Sequence, residues 1–274
     1  SGLDDPQILA HPTSKEVPTP YGLPSSALTM GTIGGVDVVI LARHGKGHTI
    51  PPTQVPFRAN IHALKKVGCT HILATTAVGS LREEIGRGDF VVIDQFIDFT
   101  RHRTVTFHEV FKENPVHTPM ADPFDADLRR ALTASAQKLG LKTHPKGTVV
   151  TIEGPRFSTR AESHMFRSWG ADIINMSIAP EAILAAEAGI PYAAVAMSTD
   201  YDCWKEDEEP VTWEAVLEIF AQNAANMKAL LVETLPRIGQ PLPVAPPPAP
   251  VGARETIKSM IRTIPHFPIE GVMF

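Results

Sequence analysis

Short apolar runs alternate along the chain with longer segments in which apolar residues recur at helical spacing. The runs are rich in β-branched residues and bounded by glycine or polar residues, which predicts strands. The predicted strands are Val36–Ala42, His71–Thr76, Phe90–Phe96, Thr148–Ile152, Ile173–Met176 and Tyr192–Met197. The segments with helical spacing predict helices, some of which end at a glycine. The predicted helices are Asn60–Val67, Asp125–Leu139, Arg160–Trp169, Pro180–Ala188 and Trp213–Thr234.

This alternation of elements indicates the fold class. Apolar strands separated by helices are typical of an α/β fold, in which helices cover both faces of a largely parallel sheet. Ligands of such folds bind beyond the carboxyl ends of the strands. The polar residues that follow the strands are therefore the first candidates for function.

Proline marks a boundary near the carboxyl end of the chain. The run Gln240–Pro250 contains Pro241, Pro243, Pro246, Pro247, Pro248 and Pro250. Such a run favours a semi-rigid extended spacer over a helix or a strand. We therefore expect a globular domain over 1–238, a proline-rich linker over 239–252 and a short segment over 253–274. That last segment is too short to fold alone.

Composition narrows the classes of function. The chain has 274 residues, of which 43% are hydrophobic and 20% charged, so it can bury a core without disulfides or a structural metal. A net charge of −5 argues against nucleic acid or an anionic membrane as a partner. The two cysteines and the absence of any apolar run of transmembrane length favour a reducing, cytoplasmic setting.

One group of residues that follow strands could bind an anion. The guanidinium of Arg43 and the hydroxyls of Thr76 and Ser177 match the geometry of an oxyanion such as phosphate. Backbone amides near Ala77 could add donors. An equally simple interpretation makes Arg43 a surface ion-pair residue, and His44 beside it could be purely structural.

A second group could act on a leaving group. Asp200 and Asp202 follow an apolar strand, and a desolvated carboxyl group can stay protonated and donate to a developing anion. Turn formation is the alternative role for these aspartates. Phe157 could stack on a flat ring or pack in the core. The sequence has no motif typical of a metal site or of a nucleoside triphosphate site.

Several longer motifs, taken in chain order, are similar to one family. They are Leu41–Gly45, Thr75–Glu84, Thr151–Ser158, Trp169–Ser177 and Thr199–Trp204. Over about Ser1–Ile238 the chain resembles the trimeric purine nucleoside phosphorylases, in the branch of the 5′-methylthioadenosine phosphorylases. The resemblance implies the nucleoside phosphorylase fold, an α/β fold with a central mixed, largely parallel twisted sheet flanked by helices.

The resemblance also implies roles for individual residues. The positions that bind phosphate in the family match Ser1, Arg43, His44, Thr76, Ala77 and Ser177. The nucleoside positions match Phe157 and Ser158 at the base, Met176 at the ribose, Asp200 and Asp202 at the adenine, and Trp213, Val216 and His117 at the 5′ end. Asp200 is implied to be the catalytic acid. His117 is implied to come from a neighbouring subunit of a homotrimer.

The implied activity is the phosphorolysis of 5′-methylthioadenosine to adenine and 5-methylthioribose 1-phosphate. The expected partners are a small nucleoside and inorganic phosphate, which is a co-substrate, and no cofactor or metal is implied. Two alternatives stay open at this point. One is a phosphorylase that acts on inosine, guanosine or methylthioinosine, and the other is a nucleoside-binding protein without turnover.

Both ends of the chain carry further expectations. The family places a strand before the position of Ser1, so we expect that strand to be missing here. The segment 253–274 contains Ile264-Pro265-His266-Phe267-Pro268 and resembles the start of adenine phosphoribosyltransferases. This second resemblance implies a fusion with an enzyme that consumes adenine.

Overall fold

A computed structural model describes residues 7–111, 114–207 and 212–239. Within these ranges the chain forms five α-helices and ten strands. The helices are α1 (Phe57–Lys66), α2 (Ala126–Lys138), α3 (Arg160–Ser168), α4 (Ile178–Ala188) and α5 (Trp213–Thr234). The strands are β1 (Ala10–Lys15), β2 (Leu28–Ile33), β3 (Val36–Ile40), β4 (Ile72–Ser80), β5 (Phe90–Val92), β6 (Gln95–Phe99), β7 (Thr143–His144), β8 (Thr148–Ile152), β9 (Ile173–Asn175) and β10 (Tyr192–Asp200).

Some of the sequence predictions fall outside these ranges. Ser1, the predicted linker beyond Gly239 and the transferase-like segment 253–274 lie outside the described residues. The domain boundaries and the fusion therefore stay predictions. None of the helices formed by the described residues is long and apolar enough to cross a membrane.

Seven strands form one mixed sheet in the order β6-β8-β9-β4-β10-β5-β7. Its centre is the parallel pair β4 and β10, while β9 runs antiparallel to β4 and β5 antiparallel to β10. Side chains of β10 point alternately to two core clusters. Ala194 and Ala196 pack with residues of α1 and α4 on one face, and Val195 and Met197 pack with α2 and α5 on the other. The expected α/β fold, with helices on both faces of a mixed sheet, is confirmed.

The predicted strand Phe90–Phe96 is wrong, because the chain forms two strands there. β5 and β6 lie towards opposite ends of the strand order, yet only Ile93 and Asp94 separate them. The sheet must therefore curl until its two ends approach each other. Asp94 makes the corner: its side chain accepts from Gly147 N at 2.9 Å, and its backbone N donates to Gly147 O at 3.3 Å.

The predicted strand Val36–Ala42 forms as β3, but it does not belong to the central sheet. β3 pairs with β2, and β2 with β1, in a separate three-stranded antiparallel sheet. The cause is the two-residue turn at Gly34 and Gly35, which have φ values of 57° and 83°. Two adjacent residues with positive φ are typical of a tight hairpin whose twist suits its strands. β1 and β2 are not among the predicted strands, because β1 is mostly polar and the apolar residues of β2 are separated by threonine and glycine.

Candidate functional site

A cavity of about 510 Å³ lies beside the carboxyl ends of β4 and β10 and extends to the segment that follows β3. β4 and β10 are parallel, so their ends meet, and Asp200 pairs with Gly79 in the sheet register. β9 reaches the same place from the opposite direction. Its antiparallel pairing with Gly79 and Ser80 carries the following residues, Met176 and Ser177, back along β4.

The cavity collects most of the residues that the sequence predicts for the site. Its lining includes Arg43, His44, Thr76, Ala77, Phe157, Ser158, Met176, Ser177, Asp200 and Asp202. These residues come from five separate segments of the chain. Their convergence gives a basic end beside Arg43 and an acidic end beside Asp200.

At the acidic end, hydrogen bonds fix the carboxyl group of Asp200. Thr199 Oγ1 donates to Asp200 Oδ2 at 2.7 Å, and the backbone N of Asp202 donates to Asp200 Oδ1 at 2.7 Å. Burial raises the pKa of Asp200 to about 6, against the lowering effect of these two hydrogen bonds, and the nearby Asp202 adds to the rise. Asp200 can therefore hold a proton near neutral pH, as a general acid must.

Asp202 and Ser158 complete the acidic end. Burial raises the pKa of Asp202, whose backbone lies in the left-handed region with φ 51°. Ser158 Oγ is buried and has no hydrogen-bond partner among the described residues, while Ser158 O accepts from Cys203 Sγ at 3.3 Å. Phe157, 42% exposed, also lines the cavity. A carboxyl pair, an unpaired hydroxyl and an aromatic ring suit a polar, flat heterocycle.

Between the two ends, Met176 packs against Gly154. Gly154 has φ 65°, and a Cβ at this position would overlap the Met176 side chain. Glycine is therefore required at this position, both because the backbone has a positive φ and because a side chain would collide with Met176. This contact fixes the Met176 side chain beside the turn that carries Phe157 and Ser158.

Arg103, which the sequence analysis missed, anchors the same region. Its side chain is 2% exposed; Nη1 donates to Met176 O at 2.6 Å, and Nη2 donates to Glu153 O at 2.6 Å. Its Nε also pairs with the carboxylate of Glu153 at 3.2 Å. One guanidinium thus ties the end of β8 to the residue that follows β9. An arginine in a polar loop gives no sequence signal for such a role.

At the basic end, Arg43 is almost surrounded by partners. Its Nε and Nη2 donate to the two carboxylate oxygens of Glu181 at 2.5 and 2.9 Å, and Nη1 donates to Thr75 O at 3.0 Å. Burial lowers the pKa of Arg43, but the Glu181 carboxylate more than offsets that effect and leaves it above the ordinary value. The alternative of a surface ion pair does not fit, because the side chains of Arg43 and Glu181 are only 17% and 9% exposed.

The buried amide of Asn175 connects two residues predicted for the anion site, Thr76 through its hydroxyl and Ser177 through its backbone N. Asn175 Nδ2 donates to Thr76 Oγ1 at 3.3 Å, and Asn175 Oδ1 accepts from Ser177 N at 3.4 Å. Thr151 Oγ1 donates to the same Oδ1 at 2.8 Å. Thr76 and Ser177, 101 positions apart in sequence, are thereby held in one network.

His44 completes the basic end with a defined tautomer. Its Nδ1 lies 2.9 Å from Ile50 O, and a carbonyl can only accept, so Nδ1 carries the proton. Burial lowers the pKa of His44, against the opposing effect of that carbonyl, so the ring is neutral near pH 7. Its Nε2 then offers a lone pair.

Four predicted residues are not placed at the cavity, and one of them, Ser1, lies outside the described residues. His117 is exposed and lies 5.9 Å, centroid to centroid, from Phe111, and it does not line the cavity of its own chain. Its predicted service to a neighbouring subunit stays a prediction. Trp213 and Val216 belong to α5, but their side chains are outside what the structure describes. Across the described ranges, no group of three or more His, Cys, Asp or Glu side chains is arranged to hold a metal ion.

Known proteins resemble this chain over most of its length. The sequence model of the phosphorylase superfamily matches residues 5–236. The S-methyl-5′-thioadenosine phosphorylase of Danio rerio is 56% identical over 243 residues, which cover 88% of this chain and 87% of that protein. The corresponding protein of Xenopus tropicalis is 56% identical over 242 residues, which cover 87% of this chain and 86% of the relative.

Solved structures of one enzyme are also similar to this chain. A variant of the adenosine/methylthioadenosine phosphorylase of Schistosoma mansoni, in complex with adenine, is 41% identical with a TM-score of 0.83, and the match covers 92% of this chain and 93% of that one. Another variant, in complex with methylthioadenosine, is 40% identical with a TM-score of 0.82, and the match covers 94% of this chain and 92% of that one.

Proposed function

The chain belongs to the phosphorylase superfamily, and we propose that it catalyses the phosphorolysis of 5′-methylthioadenosine to adenine and 5-methylthioribose 1-phosphate. The observation that carries this proposal is the position of Asp200. Its carboxyl group, with a pKa of about 6, lies at one end of a cavity whose other end holds the cation of Arg43. Relatives 56% identical to this chain are named for this reaction.

Departure of adenine is the first difficulty of the reaction. The base leaves with the electron pair of the glycosidic bond, and it is a poor leaving group unless that charge is neutralised. A protonated Asp200 donates to N7 of the base as the bond breaks. Thr199 Oγ1 and Asp202 N, which hold the two carboxyl oxygens at 2.7 Å, fix the direction in which the proton is presented.

Capture of the sugar is the second difficulty. As the base departs, positive charge develops at the anomeric carbon, and inorganic phosphate attacks from the opposite face. Arg43, Thr76, Ala77 and Ser177 hold the phosphate, and the neutral His44 accepts a hydrogen bond from it through Nε2. Their contribution is mainly positioning, because an oriented nucleophile avoids most of the entropic cost of a bimolecular step.

Met176 lies between the site proposed for the base and the site proposed for phosphate. Its side chain packs against Gly154, and its backbone carbonyl is held by Arg103, so it forms a fixed surface for the ribose.

Side chains supply the acid and the anion site, so the proposed reaction uses inorganic phosphate as co-substrate and requires neither a metal nor an organic cofactor. Part of the proposal is a cytoplasmic homotrimer in which a neighbouring copy supplies His117 to the 5′ end.

Base selectivity distinguishes this function from the open alternative of a 6-oxopurine phosphorylase. Adenine presents an amino donor at C6, which suits the carboxylate of Asp202, whereas inosine and guanosine present an oxygen there. A buried site built for one hydrogen-bonding pattern rejects the other by orders of magnitude. We therefore expect methylthioadenosine to be a far better substrate than inosine.

The test is adenine release from 5′-methylthioadenosine, measured with and without inorganic phosphate. Phosphate-dependent release, together with the appearance of 5-methylthioribose 1-phosphate, supports the proposal. Inosine, measured in parallel, is the selectivity control. Faster turnover of inosine would reverse the assignment of substrate, and nucleoside binding without turnover would make the protein a binding protein.

A further inference from the structure

The contact between Arg43 and Glu181 has a geometric consequence for the anion site. A guanidinium has five N–H groups, and among the described residues three of these have partners: Nε and Nη2 on Glu181, and Nη1 on Thr75 O. One N–H therefore remains on each of the two terminal nitrogens, Nη1 and Nη2. Two N–H groups on neighbouring nitrogens can bind two oxygens of an oxyanion at once, and we call this pair the Arg43 fork.

Glu181 is itself held in place. It lies in the first turn of α4, four positions after Ser177, and is buried. Tyr192, at the start of β10, donates from its hydroxyl to Glu181 Oε2 at 2.7 Å. Burial and the Glu181 carboxylate raise the pKa of Tyr192 well above its ordinary value, so its hydroxyl keeps the proton that it donates.

These contacts leave Arg43 one direction in which to bind. The side of the guanidinium that carries Nε faces Glu181, and one edge of Nη1 faces Thr75 O. Arg43, Thr75, Thr76, Ser177 and Glu181 all line the cavity. The hydroxyl of Tyr192 also interacts with the guanidinium. The part of the Arg43 side chain that stays exposed, 17%, is therefore where its remaining N–H groups can meet an anion in the cavity.

We propose that Glu181, fixed by Tyr192, is a positioning residue that orients the Arg43 fork for phosphate. The inference rests on the proposed function only in taking phosphate as the anion. Glu181 does not touch phosphate in this arrangement, since both its oxygens are used by Arg43 and Tyr192. Its effect passes through the guanidinium.

A pair that served only to stabilise the fold would behave differently. Loss of Glu181 would then lower the free energy of unfolding but leave the affinity of the folded protein for phosphate unchanged. A pair in which Glu181 mattered only through its charge would give a third pattern. Removing a negative charge beside the site would then strengthen the binding of phosphate.

Two substitutions separate these cases. Glu181→Gln removes the charge and replaces one acceptor by an amide that cannot accept from Arg43. Glu181→Asp keeps the charge but withdraws the carboxylate by one methylene, which breaks the two-point contact. The matched control is Glu187→Gln on the same helix, because Glu187 accepts from Thr106 Oγ1 at 2.8 Å and from Phe107 N at 2.7 Å and does not contact Arg43.

The primary measurement is calorimetric titration of the intact protein with inorganic phosphate in the absence of nucleoside. We expect both Glu181 variants to weaken phosphate binding by about 10-fold to 100-fold, the effect of losing one charge-assisted hydrogen bond from the fork. In steady-state kinetics the KM for phosphate should rise by the same factor, while the KM for the nucleoside changes by less than about 2-fold. Glu187→Gln should leave the affinity for phosphate unchanged.

Unchanged phosphate affinity in both folded Glu181 variants would overturn the inference, and so would tighter binding in Glu181→Gln or full retention in Glu181→Asp. If neither variant folds, Tyr192→Phe replaces them, since it keeps the ion pair and removes the hydroxyl that holds Glu181 and lies beside Arg43. A rise of about 3-fold in the phosphate KM would then support the inference, and no change would contradict it.

Failure of this inference and failure of the proposed function give different results. Normal phosphorolysis with unchanged phosphate binding in the Glu181 variants removes the positioning role and leaves the function standing. Weakened phosphate binding in a protein that turns over no nucleoside removes the function and leaves the positioning role standing.

Discussion

Gly79 on β4 and Asp200 on β10 lie so close that a Cβ atom on Gly79 would be 2.9 Å from Asp200 Oδ1. The same atom would be 3.0 Å from Ile174 Cγ2 and 3.3 Å from Asp202 Cβ, so it would be crowded on several sides. The two residues are partners in the register of the central pair of strands. The absence of a side chain at Gly79 is therefore what allows the Asp200 carboxyl group to occupy its position.

Gly79→Ala should lower kcat/KM for methylthioadenosine by about 10-fold to 100-fold, because a small displacement of a catalytic group has an effect of that order. The measurement is steady-state kinetics, with circular dichroism to confirm the fold. Gly86→Ala is the control, since its Cβ would meet only ordinary contacts of 3.7 Å. Equal activity of the two variants would contradict the role assigned to the close approach.

The pKa of Asp200 sets the pH dependence of the reaction. With a pKa of about 6, Asp200 is protonated below that pH and loses its proton as the pH rises through it. If the protonated form is the acid, kcat/KM for methylthioadenosine should decline above about pH 6, towards tenfold per pH unit. The profile is measured at saturating phosphate from pH 5 to pH 9, and a value that stays constant over that range would exclude Asp200 as the acid.

Asp200→Asn should separate activity from stability. Loss of the acid should lower kcat by about 100-fold to 10,000-fold. The folded pKa of about 6 lies above the ordinary value of 3.8, so the wild type loses stability as the pH rises through this window. The substitution removes that penalty and should raise the free energy of unfolding at pH 7 by about 1 to 3 kcal/mol.

Asp89→Asn is the matched control, and we expect it to change the free energy of unfolding in the opposite direction. Asp89 is also buried, but hydrogen bonds from His144 and Lys142 outweigh burial and lower its pKa. Its charged form is thus favoured by folding, and its replacement should lower the free energy of unfolding at pH 7. Chemical denaturation of both variants checks the contrast, and a change of the same sign in both would contradict the electrostatic account.

The sequence predicted the elements of the α/β core well where local patterns determine them. Thr148–Ile152 and Trp213–Thr234 form the strand and the helix with the predicted bounds. The prediction failed at Phe90–Phe96, where the polar Asp94 interrupts an apolar run and its bonds to Gly147 turn the chain. It also missed the hairpin at Gly34 and Gly35, although two adjacent glycines between strands are a typical hairpin turn.

The site shows a similar division. Arg43, Asp200 and their neighbours could be named because they follow strands and lie in recognisable motifs. Glu181 could not, because it sits in a predicted helix and its partner Arg43 is 138 positions away. Helical periodicity indicates which face a residue occupies, and it says nothing about which distant cation that face meets. Arg103 in a loop and Asn175 in a strand were missed as well, because their partners Met176 and Thr76 are also distant in sequence.

The proposed trimer leads to a prediction about mixed chains. If His117 serves the site of a neighbouring copy, each site joins Asp200 of one chain to His117 of the next. Trimers of His117→Ala alone should have a raised KM for methylthioadenosine, and trimers of Asp200→Asn alone should be nearly inactive. An equal mixture, unfolded and refolded together, should give about one quarter of its sites with both native residues.

Recovery of wild-type kinetics in about that fraction of sites is therefore expected, with a solution mass of three chains. Each variant refolded alone is the control for spontaneous recovery. A mixture whose activity equals the average of the two separate variants would show that His117 acts within its own chain or not at all. Full activity in a monomer would contradict the shared site directly, because His117 does not line the cavity of the chain that carries it.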